Sequence, residues 1–168
     1  AGGVGAAFAA IAARRTFFEA MVLADLDLDR ARRAADRVGD PRITAIAIDA
    51  SDASNVEAAI RANGSTAVLN AADPRFVVPI FDACFAAGVT YMDMAMSLSH
   101  PHAERPYELC GEKLGDYQFD RSAAWEERGL LALGGMGVEP GLADVFGRYA
   151  ADHLFSEIHE IGVRDGSN

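Results

Sequence analysis

The chain opens on Gly2, Gly3, Val4 and Gly5, and glycines at this spacing let backbone N–H groups approach an anion with no side chain in the way. Gly2 and Gly5 match the second and third glycines of a G-x-G-x-x-G dinucleotide fingerprint. In that motif the middle glycine admits the pyrophosphate and the last lets the helix lie close on its strand. Further along, Asp25 closes a short apolar run. A carboxylate there accepts hydrogen bonds from the adenosine ribose hydroxyls and repels a 2′-phosphate, so NAD is expected as cofactor ahead of NADP. Asp25, Asp27 and Asp29 also alternate toward a helix start, which makes an N-cap the competing reading. Arg30, Arg32 and Arg33 read either as a solvated helix face or as a reach toward a 2′-phosphate.

Two other carboxylates have the chemistry to handle an amine. Asp93 ends the run Tyr91-Met92-Asp93, and Glu139 stands in the turn Gly137-Val138-Glu139-Pro140-Gly141. Either could hold a substrate ammonium or relay its proton. Against this, Asp93 reads equally as a carboxylate accepting N–H groups of its own loop. Glu139 could simply favour the start of the helix near Gly141, a dipole effect of about 0.3–1 kcal/mol, and the amides of that helix start could take a substrate carboxylate. His100, His102 and Cys110 lack a fourth ligand at a recognised zinc spacing, so no metal is expected. Cys84, Trp125 and the stripe Leu142, Val145, Phe146, Tyr149 read as core.

These residues need a scaffold, and the apolar pattern supplies one. Short buried-strand runs occur at Met21–Ala24, 43–48, 67–69, 89–92 and 130–133, with helical spacing between them at 6–15, 28–38, 54–62 and 76–87. Alternation of this kind predicts βαβ units with right-handed crossovers. The expected fold is therefore α/β, a doubly wound parallel Rossmann sheet. Its central first strand is expected upstream of Ala1, as an apolar run ending in Gly. Ser54 and Glu57 predict a capping box, and Gly88 a left-handed helix end. The Pro- and His-rich stretch 95–120 is too long for an ordinary connection and reads as a lid or an interface loop. From Ser156 the period shifts to two, predicting a half-exposed strand. The expected division is a dinucleotide-binding domain over 1–155 and, over 156–168, the first strand of a second α+β domain for substrate and dimerisation.

Composition removes several function classes. The chain has 168 residues, 51% hydrophobic, with a net charge of −10 from 25 acidic and 15 basic side chains. No basic surface suits a nucleic-acid strand or anionic lipid, and no apolar run reaches the ~20 residues that cross a bilayer. Two cysteines without paired spacing suit a reducing, cytoplasmic setting. Lys113 is the only lysine.

Three segments together resemble the saccharopine dehydrogenase family. They are Gly2-Gly3-Val4-Gly5; the stretch from Val68-Leu69-Asn70-Ala71-Ala72-Asp73-Pro74 to Cys84-Phe85-Ala86-Ala87-Gly88-Val89-Thr90-Tyr91-Met92-Asp93; and Gly135-Met136-Gly137-Val138-Glu139-Pro140-Gly141-Leu142-Ala143-Asp144. The resemblance implies a nicotinamide-dependent oxidoreductase that transfers hydride at a C–N bond of an amino acid or polyamine-like substrate. It also implies a homodimer formed through the second domain. By that likeness Asp49 and Ala50 border the adenine, although Asp49 reads equally as a helix-start residue, and Asn70, Ala71 and Ala72 line the central and nicotinamide-ribose region. NADP-using members carry a small residue and then Arg where Asp25 and Leu26 stand here, which again favours NAD. The alternative is a non-catalytic nicotinamide-binding or sensing module.

Overall fold

The computed structural model describes residues 1–164. Five parallel strands alternate with helices: α1 Gly3–Ala12, β1 Met21–Asp25, α2 Leu28–Val38, β2 Ile43–Ala47, α3 Ala53–Ala62, β3 Ala67–Asn70, α4 Val77–Ala87, β4 Thr90–Asp93, α5 Asp116–Phe119, α6 Ser122–Glu127, β5 Ala132–Leu133 and α7 Leu142–His153. The strands form two ladders, β1 with β2 and β3-β4-β5, all parallel. Among the described residues no ladder joins β1 to β3, the place where the sequence reading puts a further central strand. All-parallel pairing is the arrangement that the continuous apolar runs predict.

Local chemistry explains the element ends. Asp27 caps α2 by accepting from the amides of Asp29 and Arg30, and Gly39 ends the helix in the left-handed region at φ 68°. Gly88 does the same for α4 at φ 76°, as predicted. The expected Ser54–Glu57 box is not the cap of α3. Asp52 takes that place, its carboxylate accepting from both the amide and the hydroxyl of Ser54, because a charged acceptor one residue before the helix outcompetes a hydroxyl inside it. Glu57 pairs instead with Arg61, one turn on.

The core lies in two clusters. One joins Val56 and Ile60 of α3 to Ile80, Phe81, Ala83 and Cys84 of α4, with Val89, Tyr91 and Trp125. The other joins Ala9, Leu23, Ala34 and Ile43 around the β1–β2 pair. Arg42 closes the far end of that unit: it ion-pairs with Asp40, lies over the Phe18 ring, and donates to the carbonyls of Ala13, Arg15 and Phe18.

Two expectations fail here. Trp125 is core, but the stripe Leu142, Val145, Phe146, Tyr149 is exposed, and α7 contains no buried residue. An apolar stripe is buried only where another element lies against it, and none among the described residues does. The strand expected from Ser156 does not form over 156–164 among the described residues; its remainder, 165–168, lies outside them.

Candidate functional site

The glycine-rich opening and Asp25 meet at the carboxyl end of β1. The Ala1 nitrogen lies 2.8 Å from both the Ala24 carbonyl oxygen and Asp25 Oδ2, so the start of α1 sits directly beside the carboxylate. No side chain caps α1, and a Cβ built on Gly2 or Gly3 meets nothing within 4 Å. Uncapped helix amides beside open space have the chemistry of an anion cradle. Gly5, expected to permit close helix–strand contact, also has nothing within 4 Å of its would-be Cβ among the described residues. Val4 is exposed.

Asp25 is half-buried, and its Oδ1 accepts from the Asp27 amide. Burial favours its neutral form, whereas the Asp27 amide and the Arg30 guanidinium favour the carboxylate. Leu26 is 75% exposed, an apolar surface next to the carboxylate. Beside the cradle, Arg30, Arg33 and Arg37 line a cavity of about 340 Å³ together with Gly2, Gly3, Ala6 and Ala34.

At the end of β2, Asp49 is exposed and turned on itself, accepting from the amide and hydroxyl of Ser51. Those bonds hold its pKa below the ordinary value. Asp52, not Asp49, caps α3, which removes the competing helix-start reading of Asp49. Ala50 packs at the edge of the larger core. Asn70 is buried at the end of β3, with its Oδ1 accepting from the Ala72 amide and its Nδ2 donating to the Tyr91 hydroxyl. Ala71 is half-buried and Ala72 exposed.

The two carboxylates considered for handling an amine separate sharply. Glu139 is exposed, in a turn whose Glu139–Pro140 bond is cis. Asp93 does not open onto the crevice as expected: it is 1% exposed. Its Oδ2 accepts from the Tyr91 hydroxyl at 2.9 Å and Gln118 Nε2 at 2.7 Å, and its Oδ1 from the amides of Gly135 at 2.7 Å and Met96 at 3.1 Å. Four donors occupy both oxygens, leaving no lone pair turned outward. The amides at the start of α7 are also engaged. Gly141 donates to Asp144 Oδ2, Leu142 to the Gly137 carbonyl and Ala143 to that of Val138. They are not free for a substrate carboxylate, and Asp144 performs the helix-start role considered for Glu139.

Sequence reasoning missed Gln118. It is 7% exposed on the short helix α5, and its Oε1 accepts from the Ser97 amide, so it joins the long 95–120 segment to Asp93. A glutamine in a four-residue helix has no periodic signal that could have singled it out.

Set against known proteins, the family model "Saccharopine dehydrogenase NADP binding domain" matches residues 1–133. The chain belongs to this family. Carboxyaminopropylagmatine dehydrogenase of Synechocystis sp. is 31% identical over 165 residues, covering 98% of this chain and 39% of its own length. Carboxynorspermidine synthase of Vibrio alginolyticus is 32% identical over 129 residues, covering 74% of this chain and 29% of its own. The saccharopine dehydrogenase family chain thus spans well under half of these relatives. Among solved structures, saccharopine dehydrogenase (L-Glu forming) from Saccharomyces cerevisiae superposes with a TM-score of 0.66 at 14% identity, over 90% of this chain and 29% of that one. A metagenomic short-chain oxidoreductase in complex with NADP superposes with a TM-score of 0.53 at 18% identity, over 98% and 93%. These two likenesses establish the Rossmann-like α/β fold.

Proposed function

We propose that this chain is the dinucleotide-binding part of an oxidoreductase that transfers hydride at a C–N bond of an amino acid or polyamine-like substrate, with NAD preferred. The observation that carries the reading is the contact between the start of α1 and Asp25. This closeness supports reading the glycine-rich start as the diphosphate site and Asp25 as the acceptor for the adjoining ribose. The family and the names of the relatives support an amine-bearing substrate.

The residues fit such a group. The open backbone at Gly2, Gly3, Val4 and Gly5 would hold the diphosphate, Asp25 the adenosine ribose with Leu26 beside it, Asp49 and Ala50 the adenine edge, and Asn70, Ala71 and Ala72 the nicotinamide ribose. When bound, the dinucleotide supplies the hydride. Glu139, exposed in the turn between β5 and α7, would hold the substrate ammonium and take up its proton. Residues 156–168 are assigned to the beginning of a second domain through which the protein dimerises, and the setting is cytoplasmic.

A second reading has its own support. Arg30, Arg33 and Arg37 beside Gly2 and Gly3 offer positive charge where a 2′-phosphate could lie, and the family model is named for NADP. Thermal unfolding of the intact protein with each dinucleotide separates the two. A ligand at a hundred times its Kd contributes about 2.7 kcal/mol, so NADH should raise Tm more than NADPH. Equal shifts refute the Asp25 assignment, a larger NADPH shift supports the arginine reading, and no shift with either refutes dinucleotide binding.

A further inference from the structure

We propose that Tyr91, Asp93 and Gln118 act as a buried strut that fixes the turn carrying Glu139 relative to the Asn70–Ala72 edge, making all three positioning residues. The inference rests on the proposed function for what the two edges do, but the strut itself stands on geometry. Asn70 pairs with Asp93 across the β3–β4 ladder, and Tyr91 lies two residues before Asp93 on the same face. Their side chains therefore line up beneath the carboxyl ends of the strands. The Tyr91 ring is held there from the other side by Phe81 and Trp125.

Every hydrogen bond in the line has its direction forced. Asn70 Oδ1 accepts from the Ala72 amide, so the Nδ2 faces Tyr91 and donates. The Tyr91 hydroxyl, having accepted, gives its hydrogen to Asp93. Burial pushes the Tyr91 pKa far above its ordinary value, so the hydroxyl keeps that hydrogen. From the opposite end, Gln118 Oε1 accepts from the Ser97 amide, turning its Nε2 toward Asp93. The other Asp93 oxygen takes the amides of Met96 and Gly135, and its carbonyl takes that of Met136. The loops after β3, β4 and β5 are thus tied to one carboxylate. Glu139 lies four residues past Gly135, in a turn pressed against the Met94 carbonyl at Gly137.

A line of this kind couples its ends, whereas ordinary core packing loosens only locally. The test compares amide hydrogen exchange in the intact wild-type protein, Tyr91→Phe and Gln118→Met. Tyr91→Phe removes the central link, so the amides of Ala72 and Gly135 should both exchange about tenfold faster, the factor expected when a buried partner is left unpaired. Amides of β1 and β2 should not change. Gln118→Met, an uncharged replacement of similar length, removes an end link and should free Ser97 and Gly135 most, with Ala72 accelerated less than in Tyr91→Phe. Acceleration of Ala72 without Gly135 in Tyr91→Phe, or of neither, overturns the strut. Turnover gives the second readout: kcat should fall about tenfold while the dinucleotide Kd rises by less than kcat falls, because the Asn70–Ala72 edge loosens but the cradle and Asp25 are untouched. An unchanged kcat per folded molecule also overturns the positioning role. Wild-type protein that binds neither NADH nor NADPH defeats the proposed function, and the exchange comparison still decides the strut.

Discussion

Gly135 donates its backbone N–H to Asp93 Oδ1 at 2.7 Å across 42 residues of sequence, inside the protein. A buried carboxylate is held there only because every donor around it points inward. Asp93→Asn keeps the shape but places an amide among donors, so at least one neighbour loses its acceptor. The expected loss is about 3 kcal/mol, read as a lower denaturant midpoint at unchanged slope. A loss below about 1 kcal/mol would show that the donors find other partners.

The ribose assignment makes a claim about specificity as well as affinity. Hydrogen bonds to a charged acceptor are worth about 1.5–3 kcal/mol, so Asp25→Ala should weaken NADH binding by roughly tenfold to a hundredfold. NADPH binding should hold or improve, since the repulsion of its 2′-phosphate disappears. Parallel losses for both dinucleotides would mean that Asp25 acts only through the fold.

The two cysteines should differ in reactivity. Cys110 is exposed and Cys84 buried, and burial pushes the Cys84 thiol up to about 12 from 9.0. A thiol reagent near neutral pH should label Cys110 alone in the folded protein and both residues after denaturation. The raised pKa also sets a sign. The neutral thiol favours the folded state below about pH 9, and that preference is lost as pH rises from there toward 12. Wild type should therefore lose more stability than Cys84→Ala over that window. Equal losses would show that Cys84 is not the titrating group.

Gly141 sits at φ 130°, and a Cβ there would strike the Gly137 carbonyl and lie 2.7 Å from that of Gly135. Gly141→Ala should cost about 1–3 kcal/mol from the backbone conformation alone. Because it moves the Glu139 turn, turnover should fall further than the folded fraction does. Full activity per folded molecule would free that turn from a role in the chemistry.

Much of this protein is legible along the chain. The α2 range Leu28–Val38, the Gly88 helix end and the runs that become β1 to β5 follow from the 3.6 period of the helices, from short continuous apolar runs and from glycine's access to the left-handed region. These are local preferences that no distant contact overrules. The nearness of the opening glycines to Asp25 was legible too, because helix α1 leads directly into β1 and the two lie against each other. What the chain could not disclose was partnership between distant residues. The fate of Asp93 depended on Gln118 and Gly135, and that of the α7 stripe on whether anything lay against it. A carboxylate at a strand end reads the same whether it faces a crevice or four donors. Only the folded chain, by bringing those donors within 3.1 Å, turned Asp93 from an open acid into the anchor of three loops.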